Sequence, residues 1–127
     1  MENRNNQNKN PQSCKVALYC RVASPNQADA GTVKVQLDAL RDFSKRQGCA
    51  VCAEYYDDGY NGNTLARPAF IEMQAAIEAG MVDTVVVRCV DRIARDFILR
   101  ETWLEKMRAQ GVKIIAADGS HEVPPLA

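Results

Sequence analysis

At 127 residues, with 46% hydrophobic and 25% charged side chains, the chain is long enough for one domain with a real core and too short for two. Sixteen basic residues balance sixteen acidic ones, and this zero net charge excludes strong nonspecific attraction to nucleic acid by total charge alone. No apolar run approaches membrane-spanning length and the opening MENRNNQNKN holds no secretory signal, so the expected address is the cytoplasm, with no membrane association.

Residues 1–13 are rich in asparagine, without periodicity, and are expected to form a disordered polar tail ahead of one domain over 14–127, ordered to about residue 118. Lys15 to Val22 reads as a buried strand. Thr32 to Gln47 reads as a helix, because Val33, Leu37, Leu40 and either Phe43 or Ser44 share one face; Thr32 is the expected N-cap and Gly48 the terminator. A second strand is expected at Val51 to Tyr56, stopped by Asp57-Asp58-Gly59. These two carboxylates read as turn formers rather than as an acid/base pair or a metal site.

Pro68 suits a first helical turn, Phe70, Met73 and Ile77 repeat at helical spacing, and Gly80 closes that helix. Thr84 to Val90 is a β-branched run of strand length. Phe97 to Gln110 follows as a third helix with Trp103, Leu104 and Met107 inward and Gly111 at its end, and Val112 to Ala116 is the fourth strand. Strands alternating with helices predict an α/β fold, a mostly parallel central sheet with helices on both faces. In such sheets, function collects beyond the carboxyl ends of the strands.

Five cysteines and no signal peptide argue for reduced thiols rather than a disulfide framework. Cys49 and Cys52 form the only CxxC. Cys14, Cys20, Cys89 and the lone His121 supply no second closely spaced pair, so no metal site is expected and the cysteines are expected to be buried and structural.

Arg21 to Ala23 falls at the end of the first strand and Asp91 to Arg95 just beyond the third. Both segments should meet on one rim, converging Arg21, Arg92 and Arg95, with Asp91 to orient one of them. The guanidinium fork suits bidentate contact with phosphate oxygens and stays charged at any working pH. The plainer reading of the run from Arg88 to Arg100 is a solvated charged face. Neither GxxxxGK[ST] nor GxGxxG follows the first strand, so a nucleotide cofactor lacks its usual backbone cradle.

Three tracts carry a resemblance: Tyr19-Cys20-Arg21-Val22 with Gln27 and Gln36, then Asp57-Asp58-Gly59-Tyr60-Asn61-Gly62 with Leu65-Ala66-Arg67-Pro68, then Asp91-Arg92-Ile93-Ala94-Arg95-Asp96. In this order and spacing they resemble the N-terminal catalytic domain of the serine recombinases of the resolvase/invertase type, over about Val16 to Ala116. The resemblance implies that Arg21, Arg67, Arg92 and Arg95 hold the scissile DNA phosphate while Asp91, Gln27 and Gln36 support the network. It implies DNA as the substrate, no cofactor, and a homo-oligomer in a longer form, a dimer that becomes a tetramer for strand exchange.

The family's nucleophile is a serine at the position of Ala23, whose methyl group cannot attack phosphorus. Ser24 is the nearest hydroxyl and the alternative nucleophile; it points to the opposite face in an extended strand, and Pro25 keeps it extended. These 127 residues contain no counterpart of the family's dimerisation helix or DNA-binding domain. Two other readings remain beside a recombinase catalytic domain: a recombinase-like binding or regulatory module without strand cleavage, and an unrelated anion-binding α/β domain.

Overall fold

The structure, a computed structural model, describes residues 15–22, 33–59 and 63–119. The tail, Thr32, Tyr60 to Gly62, Cys14 and His121 lie outside the described residues, as do Ala23, Ser24 and Gln27. Four strands, β1 (Val16–Val22), β2 (Val51–Asp58), β3 (Thr84–Val87) and β4 (Lys113–Ala116), alternate with three helices, α1 (Val33–Arg46), α2 (Pro68–Glu78) and α3 (Phe97–Ala109). All pairings are parallel, in the order β2-β1-β3-β4. The strand order reverses at β1, so its carboxyl end, beside that of β3, is the switch point where ligands bind in sheets of this kind.

β1 is buried along its whole length because it has a strand on either side and helices on both faces. Its side chains alternate between two cores. Val16, Leu18 and Cys20 pack with Leu37 and Leu40 of α1. Ala17 and Tyr19 face the larger core of Phe70, Met73 and Ile77 from α2 and Trp103, Leu104 and Met107 from α3. On α1, Ser44 is the buried residue and Phe43 the half-buried one.

Two strand ends depart from the sequence reading. β2 continues through Asp57 and Asp58, which pair with Arg21 and Val22 instead of turning away. The turn comes at Gly59, whose φ of 89° only glycine adopts readily and whose amide donates to the Val22 carbonyl at 2.7 Å. β3 stops at Val87 rather than Val90, and the chain bends into a 3₁₀ turn over Val90–Arg92. Its neighbours run out: the last β3–β1 pair is Val86 with Leu18, and the last β3–β4 pair is Val87 with Ala116.

Burial holds for Cys20 alone among the described cysteines. Cys49 and Cys89 are half-buried, and Cys52 is exposed because β2 is the edge strand and its alternate side chains reach solvent. Burial pushes the Cys20 thiol up to about 12.

Candidate functional site

The site is built where the end of β1 meets the 3₁₀ turn after β3. Arg21, 1% exposed, extends from β1 under this turn. Its Nε donates to the Arg92 carbonyl at 3.1 Å and its Nη2 to the Asp91 carbonyl at 2.8 Å. Arg67, immediately before α2 and fully buried, reaches the same backbone from the other side. Its Nη1 donates to the Arg92 carbonyl at 3.2 Å and its Nη2 to that of Ile93. Two buried guanidiniums therefore share one carbonyl oxygen and fix the peptide units from Asp91 to Ile93.

Aromatic rings and one carboxylate hold Arg67 in place. Its guanidinium carbon lies 5.0 Å from the centre of the Phe70 ring and 5.6 Å from that of Tyr19. Asp57, 3% exposed, accepts from the Tyr19 hydroxyl at 2.7 Å and from the amides of Ala69 and Phe70 at 2.9 and 3.1 Å. Those amides are open donors at the start of α2, and Arg67 at the N-cap supplies no side-chain acceptor for them. Asp57 is therefore no turn former: it caps α2 from a neighbouring strand. Burial raises the Tyr19 hydroxyl above the usual phenol range, and the bond to Asp57 raises it further.

The charge balance of the rim is one-sided. Burial lowers the pKa of Arg21, and the charges of Arg67, Arg92 and Arg95 lower it again, so these three cations lie within electrostatic reach of Arg21. Arg67 is lowered chiefly by burial and partly restored by Tyr19 and Asp57. No ion pair to a carboxylate is formed by Arg67, Arg92 or Arg95 among the described residues. The Nε atoms of Arg67 and Arg92 are buried and have no hydrogen-bond partner there. Arg95 is exposed and Arg92 half-buried with its Nε enclosed, while Arg21 and Arg67 are buried.

Asp91 has a different part from the one its sequence position suggests. Its carbonyl, not its carboxylate, holds Arg21; the carboxylate is exposed and pairs with Arg100 at 3.4 Å. Asp96 caps α3, accepting from the Leu99 amide at 2.8 Å. Gln36 is buried in the first turns of α1, the helix over the opposite face of the sheet from Arg67. Among the described residues, no three Cys, His, Asp or Glu side chains are grouped to hold a metal ion, and no helix is long and apolar enough to cross a membrane.

The sequence reading missed Tyr19 and Asp57 as parts of the site. Tyr19 carried a signal, since it lies two residues before Arg21 and thus on the same face of β1. Asp57 carried none that is local, since its hydroxyl partner is 38 residues away.

The model of the family described as "Resolvase, N terminal domain" matches residues 16–124. The "Putative DNA recombinase" of Bacillus subtilis (strain 168) is 25% identical over 111 residues, which make up 87% of this chain and 22% of that protein. The chain thus spans about a fifth of the length of this curated relative. The crystal structure of the N-terminal catalytic domain of TP901-1 integrase superposes with a TM-score of 0.76 at 31% identity, covering 84% of this chain and 79% of that one. A resolvase family site-specific recombinase from Streptococcus pneumoniae gives a TM-score of 0.72 at 27% identity, over 86% and 75% of the two chains.

Proposed function

The chain belongs to the resolvase N-terminal domain family and has the fold of a serine recombinase catalytic domain, and from that premise we propose that its arginine rim holds the scissile phosphate of DNA for site-specific recombination. One observation carries this reading: Arg67 and Arg92 gather at the switch point without an ion pair to a carboxylate among the described residues, each with a buried Nε donor left over there. Burying cations costs several kcal/mol each unless something anionic or strongly accepting compensates. Backbone carbonyls compensate Arg67 in part, and a phosphodiester would complete the set for Arg67 and Arg92.

In this mechanism Arg92 and Arg95 contact the non-bridging phosphate oxygens directly. Arg21 and Arg67 fix the 91–93 backbone that carries Arg92 and add positive potential from below, stabilising the negative charge that develops in transfer. Gln27, Gln36 and Asp91 support this network. In a serine-bearing member, the serine oxygen forms a bond to phosphorus as the 3′ oxygen leaves, giving a 5′-phosphoserine and a free 3′-hydroxyl. The partner strand's hydroxyl reverses the step, so no cofactor or outside energy is used. Longer forms act as a dimer, and as a tetramer in strand exchange.

With Ala23 at the nucleophile position, the chain as written binds without cutting. The same residue favours a second reading, a non-cleaving binding or regulatory module built on the recombinase pocket. Titration of a DNA duplex from low to physiological salt tests the shared premise. Binding should be weak and fall steeply with salt, and Arg92→Glu or Arg95→Glu should weaken it and lower the salt slope by about 1. Tight binding indifferent to salt and to both changes contradicts it.

A further inference from the structure

Among the described residues, the outer edge of β2 is the one long strand edge that neither a neighbouring strand nor the arginine rim uses. β2 is the terminal strand on its side of the sheet, so over Val51–Asp58 its outer row of amides and carbonyls has no strand partner among the described residues. Two cavities lie in tandem along this edge, between β2 and the elements beside it, and Tyr55 stands between them as a wall common to both.

The two cavities differ in chemistry. The first, about 360 Å³, is lined by Cys52, Ala53, Tyr55, Ala76, Met81 and Val82. Lys15 also borders it but turns its Nζ to the Gly80 carbonyl at 2.9 Å, leaving an apolar floor with Met81 63% exposed. The second, about 420 Å³, is bordered by Glu54, Asp57, Asp58 and Glu72 and by no lysine or arginine. Asp57 is engaged by Tyr19 and α2, and Glu54 pairs with Arg41 at 2.5 Å. Asp58 and Glu72 are exposed and form no ion pair among the described residues, so their charge remains available.

We propose that this edge docks an extended peptide segment of a partner protein by strand addition, with an aliphatic side chain in the Cys52–Met81 cavity and a lysine or arginine in the Asp58–Glu72 cavity. The unpaired backbone row calls for another backbone, and alternate side chains of an added strand drop into pockets beside it. Along β2 the first cavity is lined by Cys52, Ala53 and Tyr55 and the second by Glu54 to Asp58, so the aliphatic and basic residues of the peptide lie an even number of positions apart, on one face of the added strand. Charge selects the occupant. DNA phosphate is repelled by the acidic cavity, and a second copy pairing through the same edge would bring Glu54 and Asp58 of both chains together.

The test uses the 127-residue chain and a fluorescein-labelled probe of sequence Thr-Leu-Thr-Val-Thr-Lys-Thr-Arg, followed by fluorescence anisotropy and by backbone amide shifts in NMR. The proposal expects saturable binding, with the largest shifts at Cys52 to Tyr56. Glu72→Lys and Met81→Asp, both at exposed positions, should each weaken binding about tenfold or more while leaving the amide spectrum of the rest of the fold unchanged. A probe with glutamates in place of lysine and arginine should not bind. No binding at millimolar probe overturns the proposal. Binding indifferent to both substitutions overturns it too, as does self-association through this edge that Met81→Asp abolishes while the probe stays unbound.

Discussion

The Tyr19 hydroxyl donates to the Asp57 carboxylate at 2.7 Å, and this contact ties the central strand to the edge strand and, through the Ala69 and Phe70 amides, to the start of α2. Arg67, which immediately precedes α2, is held by the same arrangement. The pocket and the fold are therefore stabilised by the same few bonds.

Asp57→Ala removes an acceptor for three donors, one hydroxyl and two helix-end amides. Loss of a cap costs about 0.5–2 kcal/mol, and a buried hydroxyl left unsatisfied about 1–3 kcal/mol. Tyr19→Phe removes only one hydrogen bond, at about 1 kcal/mol. Urea denaturation should therefore rank Asp57→Ala clearly below Tyr19→Phe; equal midpoints would show that Asp57 does not cap α2.

Cys20 and Cys52 should separate in reactivity. The thiolate is the nucleophile, and burial holds the Cys20 thiol protonated up to about 12, whereas Cys52 is exposed. A thiol reagent at pH 8 should label Cys52 rapidly and Cys20 only on unfolding. Because the folded value lies above the ordinary 9.0, the unfolded chain releases this proton first. The Cys20 contribution to stability is thus complete below about pH 9 and is lost as pH rises toward 12; the raised Tyr19 hydroxyl acts in the same direction above pH 10. A Cys20→Ala chain should show a shallower alkaline loss of stability than the parent.

Arg21 and Arg95 should part in their effects. Arg21→Ala strips donors from the partly buried carbonyls of Asp91 and Arg92 and should cost about 1–3 kcal/mol of stability. Arg95 is exposed, and Arg95→Ala should stay within about 0.5 kcal/mol. Both should weaken DNA binding at low salt. Thermal melts and titrations on the same samples check the split, and an Arg95→Ala chain as unstable as Arg21→Ala would contradict the division between buried and outward-facing arginines.

Helices were the most legible part of the sequence. Leu37 and Leu40, Phe70, Met73 and Ile77, and Trp103, Leu104 and Met107 all lie inward, since helical period and glycine stops act locally. Strand ends were less legible: Val90 is as β-branched as Val87, and only the lack of a pairing neighbour ends β3 before it. The gathering of Arg21 near Arg92 followed from their places at the carboxyl ends of two strands of a mostly parallel sheet. The carbonyl of Arg92 as the point shared by Arg21 and Arg67 did not, because a backbone acceptor has no signature in sequence.

The most direct measurement is covalent capture of DNA. The 127-residue domain, as written and as Ala23→Ser, is joined to a recombinase dimerisation helix and DNA-binding domain and incubated with that domain's cognate site, and protein–DNA adducts are resolved on a denaturing gel. The account predicts no adduct for the chain as written and a 5′-phosphoserine adduct for Ala23→Ser, lost again when Arg92→Ala is added. An adduct from the chain as written that disappears with Ser24→Ala would make Ser24 the nucleophile, and no adduct from Ala23→Ser would contradict an arginine pocket that lacks only its attacking oxygen.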